Sequence, residues 1–212
     1  MQEAFEYVSA AAISVPPFVL ALTEVDLVRA PAFPVVAKVA SAKVIHKTDR
    51  EGVVLGIQDA AGLAAAFRDL ADRFGPFADG EGVLVQSMAA TGVEAVVGGT
   101  RDPVFGPVVM VGLGGVLVEL QKDVQLRLAP LTLDEAREAI RCLRGVGIMD
   151  GVRGRPAADV DALARVVVAV ADLLAGDPTI QEIDLNPVII HAAGCTAVDV
   201  RIRTAADSCS GT

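Results

Sequence analysis

Apolar positions recur at helical spacing in several stretches of the chain. Behind Asp59, the residues Leu63, Phe67, Leu70 and Phe74 return at intervals of four, three and four, and Gly75-Pro76 closes the run. Thr132 followed by Glu135 is a capping-box pattern. The stripe behind it is Leu133, Ala136, Ile140 and Leu143, up to Gly145. Asp159 opens a further helix with Val160, Leu163, Val167, Val170 and Leu174 on one face and Gly176 at its end. Around these lie short Val-rich runs that predict strands: 34–40, 52–57, 82–88, 93–98, 107–111, 116–120, 124–128, 183–190 and 197–202. Strands outnumber helices, and many neighbours stand too close for a crossover helix. The pattern therefore predicts an α+β chain with largely antiparallel sheets. The longest uncharged stretches, 7–23 and 103–118, are broken by Pro16-Pro17 and by Gly106, Pro107, Gly112, Gly114 and Gly115, and read as strand and turn. Neither reaches the roughly 18 residues of a membrane helix.

Composition narrows the function classes. The chain has 212 residues, 53% of them hydrophobic, which fits one domain or two small lobes with a substantial core. Its formal net charge is −9, it has one Tyr and no Trp. An acidic chain without stacking aromatics excludes the basic, aromatic surface that nucleic acid requires. Glu3 and Glu6 stand where a signal peptide carries Lys or Arg, so export is not expected. Three scattered cysteines form no CxxC pair, which fits a reduced, cytoplasmic protein without structural zinc.

Two segments carry candidate chemistry. Lysines are scarce, yet Lys38, Lys43 and Lys47 fall within ten residues of one another. Alternation along 34–40 puts Val36, Lys38 and Ala40 on one strand face. A lysine there either snorkels at an edge or pairs with an anion. The following loop, Lys43 to Gly52, adds His46, Lys47, Thr48 and Arg50. It reads either as a solvated charged turn or as a cradle for a polyphosphate. No G-x-x-x-x-G-K-[ST] motif is present, and Gly112-Leu113-Gly114-Gly115 has Leu117 in place of the third glycine of G-x-G-x-x-G. Near the other end, Glu182, Asp184 and Asn186 share one strand face, and Asp199 stands in the next apolar strand, which can place it beside Asn186. That arrangement is either an exposed polar face or a site for a hard cation such as Mg²⁺, which takes oxygens and bridges to substrate phosphates.

Taken in order, these segments resemble a known family. They are Lys38 on its strand, His46-Lys47-Thr48-Asp49, 82–88, 92–98, 100–110, Gly112-Leu113-Gly114-Gly115, 123–131, 151–156 and Asp184-Leu185-Asn186-Pro187. The chain is similar to the ATP-grasp domain or β subunit of ADP-forming acyl-CoA ligases, most clearly over 30–203, and more distantly to the succinyl-CoA synthetase β chain. The resemblance implies an ATP-grasp fold of two α+β lobes that grip a nucleotide. They would be an N-terminal lobe (1–88), a C-terminal lobe (89–203, entered through 89–92) and a frayed tail (204–212). It implies ATP/ADP and Mg²⁺ as cofactors, with CoA held only through a partner. That partner is a CoA-binding α subunit, in a family that suggests a heterotetramer. The implied reaction joins acyl-CoA, ADP and phosphate to carboxylate, CoA and ATP through a phosphohistidine.

The same resemblance assigns roles. His46 would be a second phosphoryl carrier near the nucleotide, a task neutral imidazole suits, with the family's other phosphohistidine on the CoA-ligase part. Lys38 would contact the phosphates, with Lys47 beside it in the loop. Gln86, Ser87 and Met88 would form a hinge whose backbone reads adenine. Glu94 would bind ribose, Asn186 and Asp199 would hold Mg²⁺ with Asp184 in support, and Arg127 would touch phosphate. Arg153 and Arg155 are weaker phosphate candidates, and His191 reads as ordinary. Two departures stand out. Glu51 replaces a loop glycine, and 23–33 leaves little room for the helix expected there. They motivate the alternative of a degenerate, non-catalytic regulatory or interaction domain; a different carboxylate ligase on the same fold is a third reading.

Overall fold

A computed structural model describes residues 1–41, 52–78, 80–115, 123–151 and 156–205. The His46–Lys47 loop with Glu51, the predicted strand 116–120, Arg153, Arg155 and the tail from 206 lie outside the described residues. The chain divides into two compact units, Met1–Phe5 with Pro16–Ala89, and Glu6–Val15 with Ala90–Thr212. Both are α+β with antiparallel sheets.

The first unit is built on a sheet of order β1-β4-β2-β3, from Phe18–Ala21 (β1), Val35–Ala40 (β2), Val53–Ile57 (β3) and Gly82–Ser87 (β4). Helix α2 (Ala60–Phe74) packs on it, and Asp59 accepts from the Gly62 N–H at 2.8 Å to start the helix. Val35, Ala37 and Val39 of β2 meet Leu63, Phe67 and Leu70 of α2 in one core with Val83 and Val85. Every residue of β2 is buried, so the opposite face, Val36-Lys38-Ala40, is covered as well. Strand β1 follows the Pro16-Pro17 turn signal within the stretch that reads as strand and turn. The short segment 23–33 holds a 3₁₀ turn, Glu24–Arg29, where a full helix has no room.

In the second unit a sheet runs β10-β8-β5-β6-β7, with β9 on β8. Its strands are Val93–Asp102 (β5), Gly106–Leu113 (β6), Val124–Leu128 (β7), Ile180–Ile190 (β8), Cys195–Ala197 (β9) and Val200–Thr204 (β10). The predicted strand 197–202 is thus two pieces, broken at Val198-Asp199. Helix α4 (Val160–Gly176) covers one sheet face through fully buried Leu163, Val167, Val170 and Leu174, and helix α3 (Leu133–Arg141) packs beside it. A β-carbon on Gly99 would lie well inside contact distance of Leu174 Cδ1, so helix and sheet approach closely there. The capping box read from the sequence closes as expected: Glu135 accepts from Thr132 N–H at 2.7 Å, and Thr132 Oγ1 accepts from Glu135 N–H at 3.3 Å. Arg101 sets the far end of α4 by donating to the carbonyls of Leu174, Asp177 (3.1 Å) and Ile180 (3.3 Å).

Helix α1 (Gln2–Ala10) occupies ground that the pattern of 7–23 reads as strand and turn. Its buried Phe5 and Val8 lie one turn apart, too short a stripe to register as a period. Among the described residues no helix is long and apolar enough to cross a membrane. Removing the α3 cap with Thr132→Ala should cost about 1 kcal/mol. A chain of this length then melts about 2–4 °C lower, read by calorimetry.

Candidate functional site

The buried face of the first sheet carries one charge. Lys38 is only 8% exposed, and its Nζ donates to Gln86 Oε1 at 2.9 Å. The register sets up this meeting. Val36 stands opposite Gln86 and Lys38 opposite Leu84, so the lysine and glutamine lie diagonally on the same face of β2 and β4. Gln86 is fully buried, and its Nε2 has no acceptor among the described residues. An amide donor left so costs about 1–3 kcal/mol. The next two residues continue out of the strand. Ser87 N–H donates to Pro17 O at 3.0 Å, and Met88 N–H to Pro34 O at 3.1 Å. The backbone N–H groups of Ser87 and Met88 are therefore engaged within the unit.

The second sheet presents a polar strip on the face turned away from α4. Strand alternation sends Ile183 and Leu185 to the helix and Glu182, Asp184 and Asn186 to the other side. Strand β10 supplies their partners. Arg203 stands opposite Glu182 and pairs with it at 3.1 Å, and Arg201 stands opposite Asp184. One step on, Asn186 N–H donates to Asp199 O at 3.2 Å. Asn186 and Asp199 are thus neighbours on adjacent chain segments, as the sequence allowed. Strand β5 flanks the strip on its other side. Gly98 faces Asp184, and a β-carbon there would sit 3.7 Å from Asp184 Oδ1, so the glycine leaves room over the carboxyl. Burial raises the Asp184 pKa above the ordinary carboxylate range. Arg201 opposes that shift, while the Asp199 and Glu182 charges add to it.

Glu94 lies exposed near the start of β5. Its carbonyl accepts from Gly114 N–H at 2.6 Å, and a β-carbon on Gly114 would press to 2.7 Å from Glu94 Cβ. Gly114 thus lies close over Glu94, whereas a β-carbon on Gly112 would press on Val124 Cγ1 at 2.8 Å. Arg127 is not brought to the polar strip. It stands opposite Val109, which is buried, and so falls on the other face of the sheet. There it donates to Leu126 O at 2.9 Å and Gln125 Oε1 at 3.4 Å. His191 shares a hydrogen bond of 3.1 Å with Thr196 Oγ1. Burial pushes the Cys195 thiol up to about 11, which leaves it unreactive near neutrality.

Among the described residues no three His, Cys, Asp or Glu side chains converge on a metal position. The strip instead offers Asp199, Asp184 and the Asn186 amide oxygen. That donor set suits Mg²⁺, which takes one or two carboxylates and completes its shell with waters and substrate phosphates. Arg201 and Arg203 are the residues that sequence reasoning left without a role. Their signal was the alternation Val200-Arg201-Ile202-Arg203, basic on the same face as the acids.

The comparisons with known proteins bear on this geometry directly. The model described as ATP-grasp domain matches residues 1–204. The β subunit of acetate–CoA ligase [ADP-forming] I from Pyrococcus furiosus is 40% identical over 206 residues, 94% of this chain and 89% of that protein. The chain belongs to the ATP-grasp family, among the β subunits of ADP-forming acyl-CoA ligases. Structures of the family agree. The Ca. Korarchaeum cryptofilum dinucleotide-forming acetyl-coenzyme A synthetase 1, in complex with coenzyme A and Ca-AMPCP, superposes with a TM-score of 0.89 at 36% identity, over 96% of this chain and 91% of that one. The same enzyme with coenzyme A and Mg-AMPPCP, its phosphohistidine segment pointing towards the nucleotide-binding site, gives 0.83 at 34% identity, over 96% and 91%. The ATP-grasp fold and its α+β class are those expected from the sequence, and the chain is a subunit of an acid–thiol ligase.

The raised Asp184 pKa fixes the sign of a stability effect. A carboxyl that titrates higher folded than unfolded weakens the fold above its folded pKa, and the penalty fades as pH falls through that value. Asp184→Asn should therefore raise the Tm at pH 7 without nucleotide. The gain should shrink in acid, where the parent carboxyl is protonated in both states. Differential scanning calorimetry across pH reads this.

Proposed function

We propose that the chain is the nucleotide-binding subunit of an ADP-forming acyl-CoA synthetase. It would move a phosphoryl group between ADP/ATP and a phosphohistidine in the reaction acyl-CoA + ADP + phosphate ⇌ carboxylate + CoA + ATP. The observation that supports this most is the reach of the likeness, which takes in 89% of the P. furiosus β subunit. CoA and the acyl group belong to a CoA-binding α subunit, in an α₂β₂ assembly. A cytoplasmic location belongs to this reading, and the free thiols of Cys142 and Cys195 suit a reducing compartment.

Residue roles follow from charge and position. Lys38, held at Gln86, supplies a point charge to the phosphates, aided by Lys47. Asn186 and Asp199 hold Mg²⁺ with Asp184 in support, and the ion lowers the repulsion between β- and γ-phosphate oxygens. Glu94 accepts from the ribose hydroxyls. His46 takes the phosphoryl group: its ring nitrogen forms the P–N bond as the bond from the γ-phosphorus to the ADP oxygen breaks. The division of labour follows the two units, with Lys38, Gln86, Ser87 and Met88 in the first and Glu94, Asp184, Asn186 and Asp199 in the second.

Reconstitution tests the proposal. Mixed with a CoA-ligase α subunit, the chain should form ATP from acyl-CoA, ADP and phosphate, and alone it should form none. Radiolabelled ATP should label His46. His46→Ala should lose that label and slow turnover by more than about a hundredfold. A variant that turns over as the parent does would remove His46 from the pathway. A chain silent with its α subunit would be the non-catalytic domain of the alternative reading.

A further inference from the structure

The first sheet holds a buried donor that the roles above leave unexplained. Gln86 is fully buried, its Oε1 accepts from Lys38 Nζ at 2.9 Å, and its Nε2 meets no acceptor among the described residues. The orientation is not arbitrary. An ammonium group only donates, so the amide oxygen must face Lys38 and the NH₂ must face away from it. Lys38 thereby makes the outer half of Gln86 a donor only. The backbone just beyond has no such donor to offer, because Ser87 N–H and Met88 N–H are bonded to Pro17 O and Pro34 O. Those two N–H groups are thus engaged, and Gln86 Nε2 is a donor on the strand that meets no acceptor among the described residues.

We propose that Gln86 Nε2 donates to a ring nitrogen of the bound purine, with Lys38 acting as the clamp that sets the amide's orientation. This rests on the nucleotide-binding reading above and adds to it the atom that recognises the base. Lys38 serves two ends in this account: its charge goes to the phosphates, and its hold on Gln86 Oε1 denies that oxygen to the exocyclic amino group of adenine. The base is read at this position as an acceptor.

Calorimetric titration of the full chain with Mg·ADP and with Mg complexes of 1-deaza-, 3-deaza- and 7-deaza-ADP tests this. Each analogue replaces one ring nitrogen with C–H. The parent should bind one of the three about tenfold more weakly than ADP. Gln86→Glu keeps an oxygen for Lys38 and removes the donor, and Gln86→Met removes both. Either variant should bind that analogue and ADP with equal affinity, a change in ratio that simple loosening of the strand does not produce. Equal binding of all four nucleotides by the parent overturns the proposal. So does a parent-like preference in the variants. A variant weakened equally for all four, with the parent's discrimination intact, leaves Gln86 as a support for Lys38 and also overturns it. If the parent binds no Mg·ADP at millimolar nucleotide, the nucleotide-binding reading itself fails, an outcome distinct from these.

Discussion

A lysine inside an apolar strand is the constraint around which the first unit is organised. Stripping water from an ammonium group is costly unless something accepts its protons. Here the compensation is an uncharged amide two residues along the neighbouring strand, at 2.9 Å. An ammonium group only donates, so it turns the Gln86 oxygen toward itself and fixes the orientation of that amide. The antiparallel register of β2 and β4 makes this possible, because it is what brings Lys38 and Gln86 to one face. Slipping that register by one residue would send one of the two side chains into the core against α2.

The second unit obeys the opposite logic. Its sheet has an apolar face closed by α4 and a polar face where acids and bases alternate across strands. Glu182 and Asp184 each stand opposite an arginine, whereas Asp199 stands opposite Asn186. Glu182 makes an ion pair with Arg203, while Arg201 only offsets part of the burial cost of Asp184. Gly98 keeps space over Asp184, and Gly114 lets β6 lie against Glu94. On the proposed reading a polyphosphate calls for cations and its metal for carboxylates, which is compatible with a net charge of −9 in an ATP-grasp chain.

How much of this was legible depended on the physical range of each signal. Local signals read well. Asp59, Thr132 and Asp159 start helices because capping depends on residues three apart. The face shared by Glu182, Asp184 and Asn186 follows from strand alternation, and the approach of Asp199 needed only adjacent strands. Helix α1 was missed because its buried stripe is one turn long, whereas β1 falls in the stretch 7–23 that reads as strand and turn. Arg127 fell on the wrong face for its expected part, since alternation fixes a side only once one strand residue is known to be buried. The Lys38–Gln86 bond joins residues 48 apart in sequence, a distance over which no periodicity speaks. The family resemblance supplied what spacing could not, namely which polar strips belong to one chemistry.

The proposal at the centre of this account is that the chain, on its own, binds a magnesium nucleotide, with Lys38 and Asp199 both required. Titrating the purified chain with ADP, with and without Mg²⁺, tests it most directly. The account predicts saturable binding that weakens when Mg²⁺ is omitted, and that Lys38→Met and Asp199→Asn each reduce. Absence of heat change up to millimolar nucleotide, or binding indifferent to both substitutions and to Mg²⁺, would contradict it.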